Sequence, residues 1–400
     1  MRAIALIDGE HRGDVVRDAL AELPFEFVGA ILVGGTEKLH GGEDYGVRLV
    51  ESLDDVGAEA VVDLSDEPVL GPRERMRWAS EALARGLEYV GSDFKFRPPE
   101  FLPFPSVPSV AVIGTGKRIG KTAVTGHVAR LLAERRDVVV VSMGRGGPAE
   151  PEVVEVQPTL ERLVEISRAG GHAASDYLET AALVGVPTIG CRRAGGGFAG
   201  EVFASNLGRG VELLEERKPQ IAVFDGSGAA IPPVSVNARV LVVGPQQDAT
   251  AYLNPYRVLI SDLVLLVGGG DSEAVRELKN IPVIPVELRL RPVAPVEGQR
   301  LAVFTAGPAP VDHLGADVVH VSRNLADRAA LREELQRVDA DVFLIEIKAA
   351  AIDVVAEAAL ERGAECVFAM NDVQPLDASI DLDAELLALA ESATAQPVAG

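Results

Sequence analysis

The chain has 400 residues, with 38 lysines and arginines against 60 aspartates and glutamates, so its formal net charge is −22. Such an acidic chain repels polyanions, which argues against a nucleic-acid-binding face and against binding to an anionic membrane. Apolar residues make up 48% and charged residues 24%, as in folded globular proteins, and the length allows two or three domains. With only two cysteines, Cys191 and Cys366, a disulfide framework and a cysteine-rich zinc site are excluded.

The amino terminus turns acidic after a few apolar residues, and no window reaches about 18 uninterrupted apolar residues. We therefore expect no secretory signal and no membrane-spanning helix, and we expect a cytoplasmic protein.

Short apolar runs alternate with amphipathic helical stretches, which predicts an α/β protein with mainly parallel sheets. The first segment, residues 1–108, opens with strand Ala3–Asp8 and a helix over Asp14–Leu23. It ends in the stretch RPPEFLPFPSVPS, where the prolines block helix and central strand and predict a stiff linker. We predict an N-terminal α/β domain over this segment.

The second segment, residues 109–295, begins with the strand SVAVI and a helix over Thr122–Arg136. The stretch RLRPVAPVEGQR, residues 289–300, is predicted to be a second linker. The third segment, residues 296–400, has four predicted strands with helices between them, which predicts a smaller C-terminal α/β domain.

The strongest motif lies between a predicted strand and a predicted helix, where a P-loop belongs. Glycines let backbone N–H groups converge on phosphate oxygens, and the helix N-terminus adds partial positive charge. Lys121 would reach the β- and γ-phosphates, and the Thr122 hydroxyl would bind Mg²⁺. A glycine-rich turn that only caps a helix is the alternative. The predicted nucleotide-binding residues are Gly114, Thr115, Gly116, Lys117, Arg118, Gly120, Lys121 and Thr122.

Asp225 ends the apolar run IAVFD about a hundred residues after this loop. A carboxylate at a strand end beside a P-loop supplies the second protein contact to Mg²⁺, so we predict a metal site at Thr122 and Asp225. An ordinary aspartate in a strand-to-turn connection is the alternative. The chain has no N-K-x-D motif, which weakly favours ATP over GTP.

Cationic loops follow other predicted strands of the same segment. SMGRGGP carries Arg145, and GCRRAGGG carries Arg192 and Arg193. Loops at the carboxyl ends of parallel strands share one crevice, and arginine beside glycine suits capture of phosphate or carboxylate. Solvated surface arginines are the alternative. His172 and Asp176 could be acid–base or phosphate-contacting groups, but a packed histidine and a helix-start aspartate explain them equally well.

Other charged groups at strand ends are weaker indicators of a functional site. Acids follow two strands of the first segment, Asp8 and Asp63 among them, and solvated turns are the favoured explanation. Glu346 and Lys348 end a strand of the last segment, where pairing at the surface explains them.

These motifs together resemble the cyclic 2,3-diphosphoglycerate synthetase family. The resemblance spans all three segments and rests on LIDGEH, DLSDEP, VIGTGKRIGKTAV, SMGRGGP, GHAASDYLE, GCRRAGGG and FDGSG. The loop GTGKRIGKT is also similar to the GTDTxxGKT loop of dethiobiotin synthetase, threonine at the first-glycine position included. The resemblance implies a central P-loop ATPase domain and the closure of 2,3-diphosphoglycerate into a cyclic phosphoanhydride, with ATP, Mg²⁺ and release of ADP and phosphate.

The implied substrate carries roughly five negative charges, which an acidic protein must balance locally. As catalytic groups we predict Lys121, Lys117, Arg145, Arg192 and Arg193. As substrate-binding groups we predict Arg145, His172, Asp176, Arg192 and Arg193. The predicted partner is this small molecule, with no nucleic acid and no membrane. Edges of parallel sheets and the aliphatic composition allow a homodimer, which we expect.

Two other functions remain open at this point. Another ligase of the dethiobiotin-synthetase-like or cobyrinate-amidase-like branch would share the loop but would not need the paired arginines. A nucleotide switch that moves a partner is a different class. Metal-delivery switches predict Cys/His clusters and partitioning switches a basic DNA-binding face, and the sequence has neither.

Overall fold

The structure is a computed structural model that describes residues 1–34, 43–54, 57–307 and 310–395. The chain forms two compact units. The smaller unit comprises Met1–Glu100, Asp248–Ile260 and Glu273–Asn280, and the larger comprises Phe101–Gln247, Ser261–Ser272 and Ile281–Gly400. The division into three domains after residues 108 and 295 stays a prediction. Among the described residues, none of the helices has the length and apolar character needed to cross a bilayer.

The smaller unit is built on a five-stranded sheet with the order β2-β1-β3-β4-β5, parallel except for the last pair. Strand β1 lies between β2 and β3, and every residue after Arg2 is buried, as expected where both faces of a sheet are covered. The elements of its first hundred residues are β1 Arg2–Ile7, α1 Gly13–Glu22, β2 Glu26–Leu32, β3 Ala60–Asp63, α2 Pro72–Ala84, β4 Glu88–Val90 and β5 Lys95–Phe96.

The chain then forms the P-loop half of the larger unit. Two short helices come between its last strands in the chain but belong to the smaller unit, α7 entirely and α8 from Glu273 onwards. The elements in chain order are β6 Ser109–Gly114, α3 Lys121–Ala133, β7 Val138–Gly144, β8 Glu152–Val154, α4 Leu160–Arg168, α5 Asp176–Val184, β9 Thr188–Ala194, β10 Ala204–Ser205, α6 Leu207–Arg217, β11 Ile221–Asp225, β12 Ala238–Val243, α7 Asn254–Leu259, β13 Leu263–Val267, α8 Ser272–Leu278 and β14 Val283–Pro292.

The remaining residues form the C-terminal half of the same unit. Its elements are β15 Arg300–Phe304, a 3-10 helix Asp312–Leu314, β16 Asp317–Ser322, α9 Arg328–Leu335, β17 Val342–Glu346, a π-helix Ala351–Ala356, α10 Glu357–Arg362, β18 Glu365–Pro375 and α11 Leu382–Ala395.

Both halves share one 13-stranded sheet, ordered β10-β9-β7-β11-β6-β12-β13-β14-β18-β17-β15-β16 with β8 beside β9. The strands from β9 to β14 in this order are parallel, and so are those from β18 to β16. The predicted α/β class with a large, mainly parallel sheet is confirmed.

The antiparallel pair β14–β18 joins the two parallel halves. β14 pairs with β13 as far as Val286, continues past it, and pairs with β18 from Val286 to Pro292. β18 runs back the other way, and its first residues pair in parallel with β17. The carboxyl ends of the two halves therefore face each other, about 20 Å apart along β14 at ~3.3 Å per residue.

The predicted linker over residues 289–300 is wrong for its first four residues. They belong to β14, because β18 supplies a pairing partner that comes about eighty residues later in the chain. Pro292 ends the strand, where the loss of one N–H donor is tolerated.

A hydrophobic core ties the P-loop half to the C-terminal half. Leu163 and Leu178, from α4 and α5, lie in one buried cluster with Phe304, Phe343 and Ile352. The Phe304 and Phe343 rings stack with their centroids 5.2 Å apart. The two halves therefore share apolar packing as well as a sheet.

We expect Phe304→Ala to destabilise the larger unit by about 3–5 kcal/mol, because truncation leaves a cavity in this shared core. Urea unfolding followed by circular dichroism measures the effect. Phe203→Ala is the matched control: Phe203 is 96% exposed, and its truncation should change the free energy of unfolding by less than about 0.5 kcal/mol. Equal losses in the two variants would contradict a core shared through Phe304.

Candidate active site

A cavity of about 980 Å³ lies where the two carboxyl edges face each other. Its walls come from both halves of the larger unit. The P-loop half contributes residues 117–123, 145–146, 171–176 and 226–228, and the C-terminal half contributes residues 305–307, 346, 348–349 and 369–371. Ligands of open α/β sheets bind at carboxyl ends, so this cavity is the candidate active site.

The P-loop connects β6 to α3, in the strand–loop–helix context that the motif predicts. A Cβ atom on Gly114 would lie 2.7 Å from Lys121 Cδ, so glycine allows the lysine to fold back over the strand end. Lys121 is 7% exposed, and its Nζ donates to the Gly116 carbonyl at 3.1 Å. Burial lowers the pKa of this lysine. Gly120 precedes the helix in a left-handed conformation and offers no capping side chain, which leaves the N–H groups of α3 for an anion.

Asp225 lies at the carboxyl end of β11 and is 1% exposed. Thr125 Oγ1 donates to its Oδ1 at 2.9 Å, which holds the carboxylate against α3, one helical turn from Thr122. Burial raises the Asp225 pKa to about 7, with Lys121 acting against the rise.

These residues fit Mg²⁺, because a buried carboxylate and a neighbouring hydroxyl are hard oxygen donors. Within the described residues there is no group of three or more His, Cys, Asp or Glu side chains that could hold a metal. A site with few protein ligands is what Mg²⁺ uses beside nucleotide phosphates. The pairing of Thr122 with Asp225 as metal ligands stays a prediction.

Cationic side chains from three loops meet beside the P-loop. A Cβ atom on Gly228 would lie 3.3 Å from Lys117 Cγ and 3.4 Å from an Arg193 guanidinium nitrogen. Burial lowers the pKa of Lys117, and Arg145, Arg193 and Arg118 lower it further. Lys117, Arg118 and Arg145 line the cavity.

The two neighbouring arginines of β9 have different surroundings, because successive side chains of a strand point to opposite faces. Arg193 is 7% exposed and donates to the Ser227 carbonyl at 2.8 Å and to Ser227 Oγ at 3.2 Å. Arg192 is exposed, and its Nε donates to the Gly147 carbonyl at 2.6 Å. Neither lines the cavity, but Arg193 lies close enough to lower the pKa of both Lys117 and Lys121.

His172 and Asp176 both line the cavity, although no single helix contains them. α5 begins at Asp176, and His172 lies in the loop before it. A Cβ atom on Gly144 would lie 3.0 Å from Asp176 Oδ2, so glycine at the end of β7 makes room for this carboxylate. The tertiary fold therefore places both residues at the same cavity.

Several cavity residues were not predicted from the sequence, and all those of the C-terminal half are among them. Glu346 and Lys348 do not form the expected surface pair. Glu346 accepts from Asn371 Nδ2 at 2.7 Å and from the Ala306 N–H at 2.8 Å, while Lys348 pairs with Glu179 of α5. The available signal was their position at the end of an apolar strand, the same signal that identified Asp225.

Not all of the acidic residues that follow strands in the first segment are exposed to solvent. The Asp63 side chain is 1% exposed and accepts from Tyr89 Oη at 2.8 Å and from the Ser65 N–H at 2.9 Å. Arg75 Nε lies 3.1 Å from Oδ2, the same carboxylate oxygen that accepts from Tyr89. The solvated-turn expectation is wrong for Asp63, which is satisfied by partners inside the smaller unit.

The fold and this cavity define a P-loop protein whose phosphate-binding loop faces a second, cation-bearing wall. Family models of cyclic 2,3-diphosphoglycerate synthetase match three consecutive parts of the chain. The N-terminal domain matches residues 2–97, the P-loop domain residues 109–287, and the C-terminal domain residues 292–372.

Curated relatives agree over nearly the whole length. The cyclic 2,3-diphosphoglycerate synthetase of Rubrobacter xylanophilus is 49% identical, over 98% of this chain and 98% of that protein. Those of Pyrococcus horikoshii and Pyrococcus abyssi are 41% and 40% identical; both alignments cover 94% of this chain, with 93% and 95% of the relatives. The chain belongs to the cyclic 2,3-diphosphoglycerate synthetase family.

We expect both cysteines to be unreactive in the folded protein. Burial raises the pKa of Cys191 and of Cys366 to about 12, so at pH 8 almost no thiolate is present. A chromogenic disulfide reagent should titrate no rapid thiol in the native protein and two thiols after unfolding in guanidinium. Rapid reaction of the native protein would contradict this and would make a thiol available near the site.

Proposed function

We propose that this protein uses ATP to close 2,3-diphosphoglycerate into its cyclic phosphoanhydride, with release of ADP and phosphate. The observation that carries the proposal is the charge of the cavity. Its walls hold seven lysines and arginines against five aspartates and glutamates, the reverse of the balance of the chain. A small polyanion is the ligand that such a cavity beside a P-loop favours.

The roles of the residues follow from their places in the cavity. The P-loop residues 114–122 would hold the ATP phosphates, with Lys121 at the γ-phosphate. Arg145 and His172, on the neighbouring wall, would hold the phosphates of diphosphoglycerate, and Lys117 of the P-loop would lie between the two sets of phosphates. Arg193 does not line the cavity, and its role would be indirect. Its hydrogen bonds to Ser227 would hold the loop that follows β11 in place.

Mg²⁺, when bound, would neutralise charge on the β- and γ-phosphate oxygens, and Thr122 and Asp225 are the residues that would hold it. Thr125 keeps the Asp225 carboxylate oriented towards the helix that carries Thr122. Asp176, which lies beside Gly144 at the end of β7 and also lines the cavity, is a further carboxylate that would face the reacting groups.

The reaction has two steps in this proposal. An oxygen of one substrate phosphate attacks the γ-phosphorus of ATP, the bond from that phosphorus to the bridging oxygen breaks, and ADP leaves. An oxygen of the second substrate phosphate then attacks the phosphorus of the activated phosphate, and inorganic phosphate leaves as the ring closes. No protein nucleophile is required, because positioning of adjacent phosphates and stabilisation of charge supply the catalysis. A site shielded from water protects the mixed anhydride from hydrolysis.

We propose a cytoplasmic homodimer that binds neither nucleic acid nor membranes. The net charge of −22 supports the absence of polyanionic partners, and sedimentation velocity measures the oligomeric state.

Phosphorus NMR of the protein with ATP, Mg²⁺ and 2,3-diphosphoglycerate tests the function. We expect ADP formation that depends on diphosphoglycerate, together with a new upfield anhydride signal.

Lys121→Ala should lower kcat by about 10²–10³-fold, since it removes a charge at the transferred phosphoryl group. ATP hydrolysis indifferent to diphosphoglycerate would overturn the proposal, and near-full activity of Lys121→Ala would overturn the role of the P-loop.

Arg145→Ala should raise the KM for diphosphoglycerate about 10–100-fold, the value of a charge-assisted hydrogen bond of ~1.5–3 kcal/mol. The KM for ATP should change less than about threefold, because the P-loop is untouched. Arg337→Ala is the matched control, since Arg337 is 80% exposed and lies outside the cavity. An equal rise in both KM values would place Arg145 at the nucleotide instead.

A further inference from the structure

We propose that Lys348, from the C-terminal half, contacts the diphosphoglycerate phosphate that accepts the γ-phosphoryl group, on the side of the cavity opposite to the P-loop. This role rests on the proposed function and extends it to a part of the chain with no assigned catalytic work. Of the six lysines in the part of the chain that the structure describes, three line this cavity: Lys117, Lys121 and Lys348.

The fold delivers Lys348 to the cavity through the direction of β17. This strand runs parallel to β18 and ends at Glu346, so its carboxyl end faces the P-loop half. Lys348 follows two residues later and lines the cavity. A group at this edge therefore approaches the P-loop from the opposite wall.

The backbone around Lys348 is tightly constrained. Its N–H donates to the Glu346 carbonyl at 2.8 Å, and its own carbonyl accepts from the Ala351 N–H at 2.8 Å. Ala349 has a left-handed φ of 41°, and a π-helix starts at Ala351. Strained non-glycine residues and π-helical turns are concentrated at functional sites, where they aim a side chain.

The side chain of Lys348 forms an ion pair, but this pair does not occupy all of its hydrogen-bond donors. Its Nζ donates to both carboxylate oxygens of Glu179. An ammonium group has three N–H donors, so one remains for another partner. The two ends of the pair differ in exposure: 36% of the Lys348 side chain is accessible, against 6% of that of Glu179. The lysine is therefore the more accessible side chain of the pair.

The charges around Lys348 place it near the reacting groups. It lines the same cavity as Lys121, and its ion-pair partner Glu179 lies in α5 of the P-loop half. Asp176 and Glu346 act on Lys348 in turn, and both line the cavity. Lys121 belongs at the γ-phosphate, so a second ammonium on the facing wall lies where the acceptor phosphate would be.

A purely structural role would also explain the ion pair, because Lys348 and Glu179 connect the two halves of the larger unit. Removing one member of a buried pair leaves an uncompensated charge, so Lys348→Met alone would lose activity in either case. The double variant Lys348→Met/Glu179→Gln separates the two roles, since it removes the cation without leaving the buried carboxylate charged.

The experiment measures diphosphoglycerate-dependent ADP formation, ATP binding by calorimetry and thermal unfolding. It uses wild type, Glu179→Gln, Lys348→Met, the double variant and Lys348→Arg. Relative to Glu179→Gln, the double variant should regain thermal stability but lose about 30-fold or more in kcat/KM for diphosphoglycerate, the effect of a ~2 kcal/mol charged contact. ATP affinity should stay within about threefold. Lys348→Arg, which keeps the charge and the ion pair, should retain more activity than Lys348→Met.

Lys218→Met is the matched control, because Lys218 is an exposed residue at the end of α6. It should leave all three readouts unchanged. Activity of the double variant within about threefold of Glu179→Gln would overturn the role of Lys348 and leave only a structural ion pair. A wild type that forms no ADP in response to diphosphoglycerate would overturn the proposed function itself, so the two failures are distinguishable.

Discussion

The larger unit depends on one antiparallel pairing, that of β14 with β18. A parallel sheet presents its ligand-binding loops at one edge, and continuing it with more parallel strands would leave the second set of loops beside the first. The reversal at β14–β18 instead turns the carboxyl ends of the C-terminal half back towards the P-loop. The cavity, the facing position of Lys348 and the core shared through α4 and α5 all follow from this reversal.

The same arrangement explains how an acidic chain presents a binding site for a polyanion. The cations are brought together from separate loops: Lys117 and Lys121 from the P-loop, Arg145 after β7, and Lys348 after β17. Carboxylates accompany them, Asp176 and Glu179 among them, so the cations are held in place by ion pairs and nearby negative charge before any ligand arrives. Such preorganised charge is the main source of catalysis in phosphoryl transfer.

The local sequence was sufficient to predict those parts of the site whose residues are consecutive in the chain. The P-loop residues lie within nine consecutive positions, and the strand before and the helix after them were predicted to within a few residues. Asp225 was found because an apolar strand ends at it, and the structure places it against α3 through Thr125. The predicted fold class and the family resemblance rest on the same kind of short-range pattern and were confirmed.

The sequence alone did not predict strand pairs and ion pairs between residues that are far apart in the chain. The first residues of a predicted linker became strand because β18 hydrogen-bonds to them, and the adjacent Arg192 and Arg193 were separated by the alternation of β9. Lys348 was expected to pair with Glu346, two residues away, but pairs with Glu179, far earlier in the chain. The sequence by itself determined the nucleotide loop, its flanking elements and the family, because these depend on neighbours along the chain. Only the tertiary structure decided which cations face the cavity, because that depends on the direction and register of strands that meet after the chain has folded.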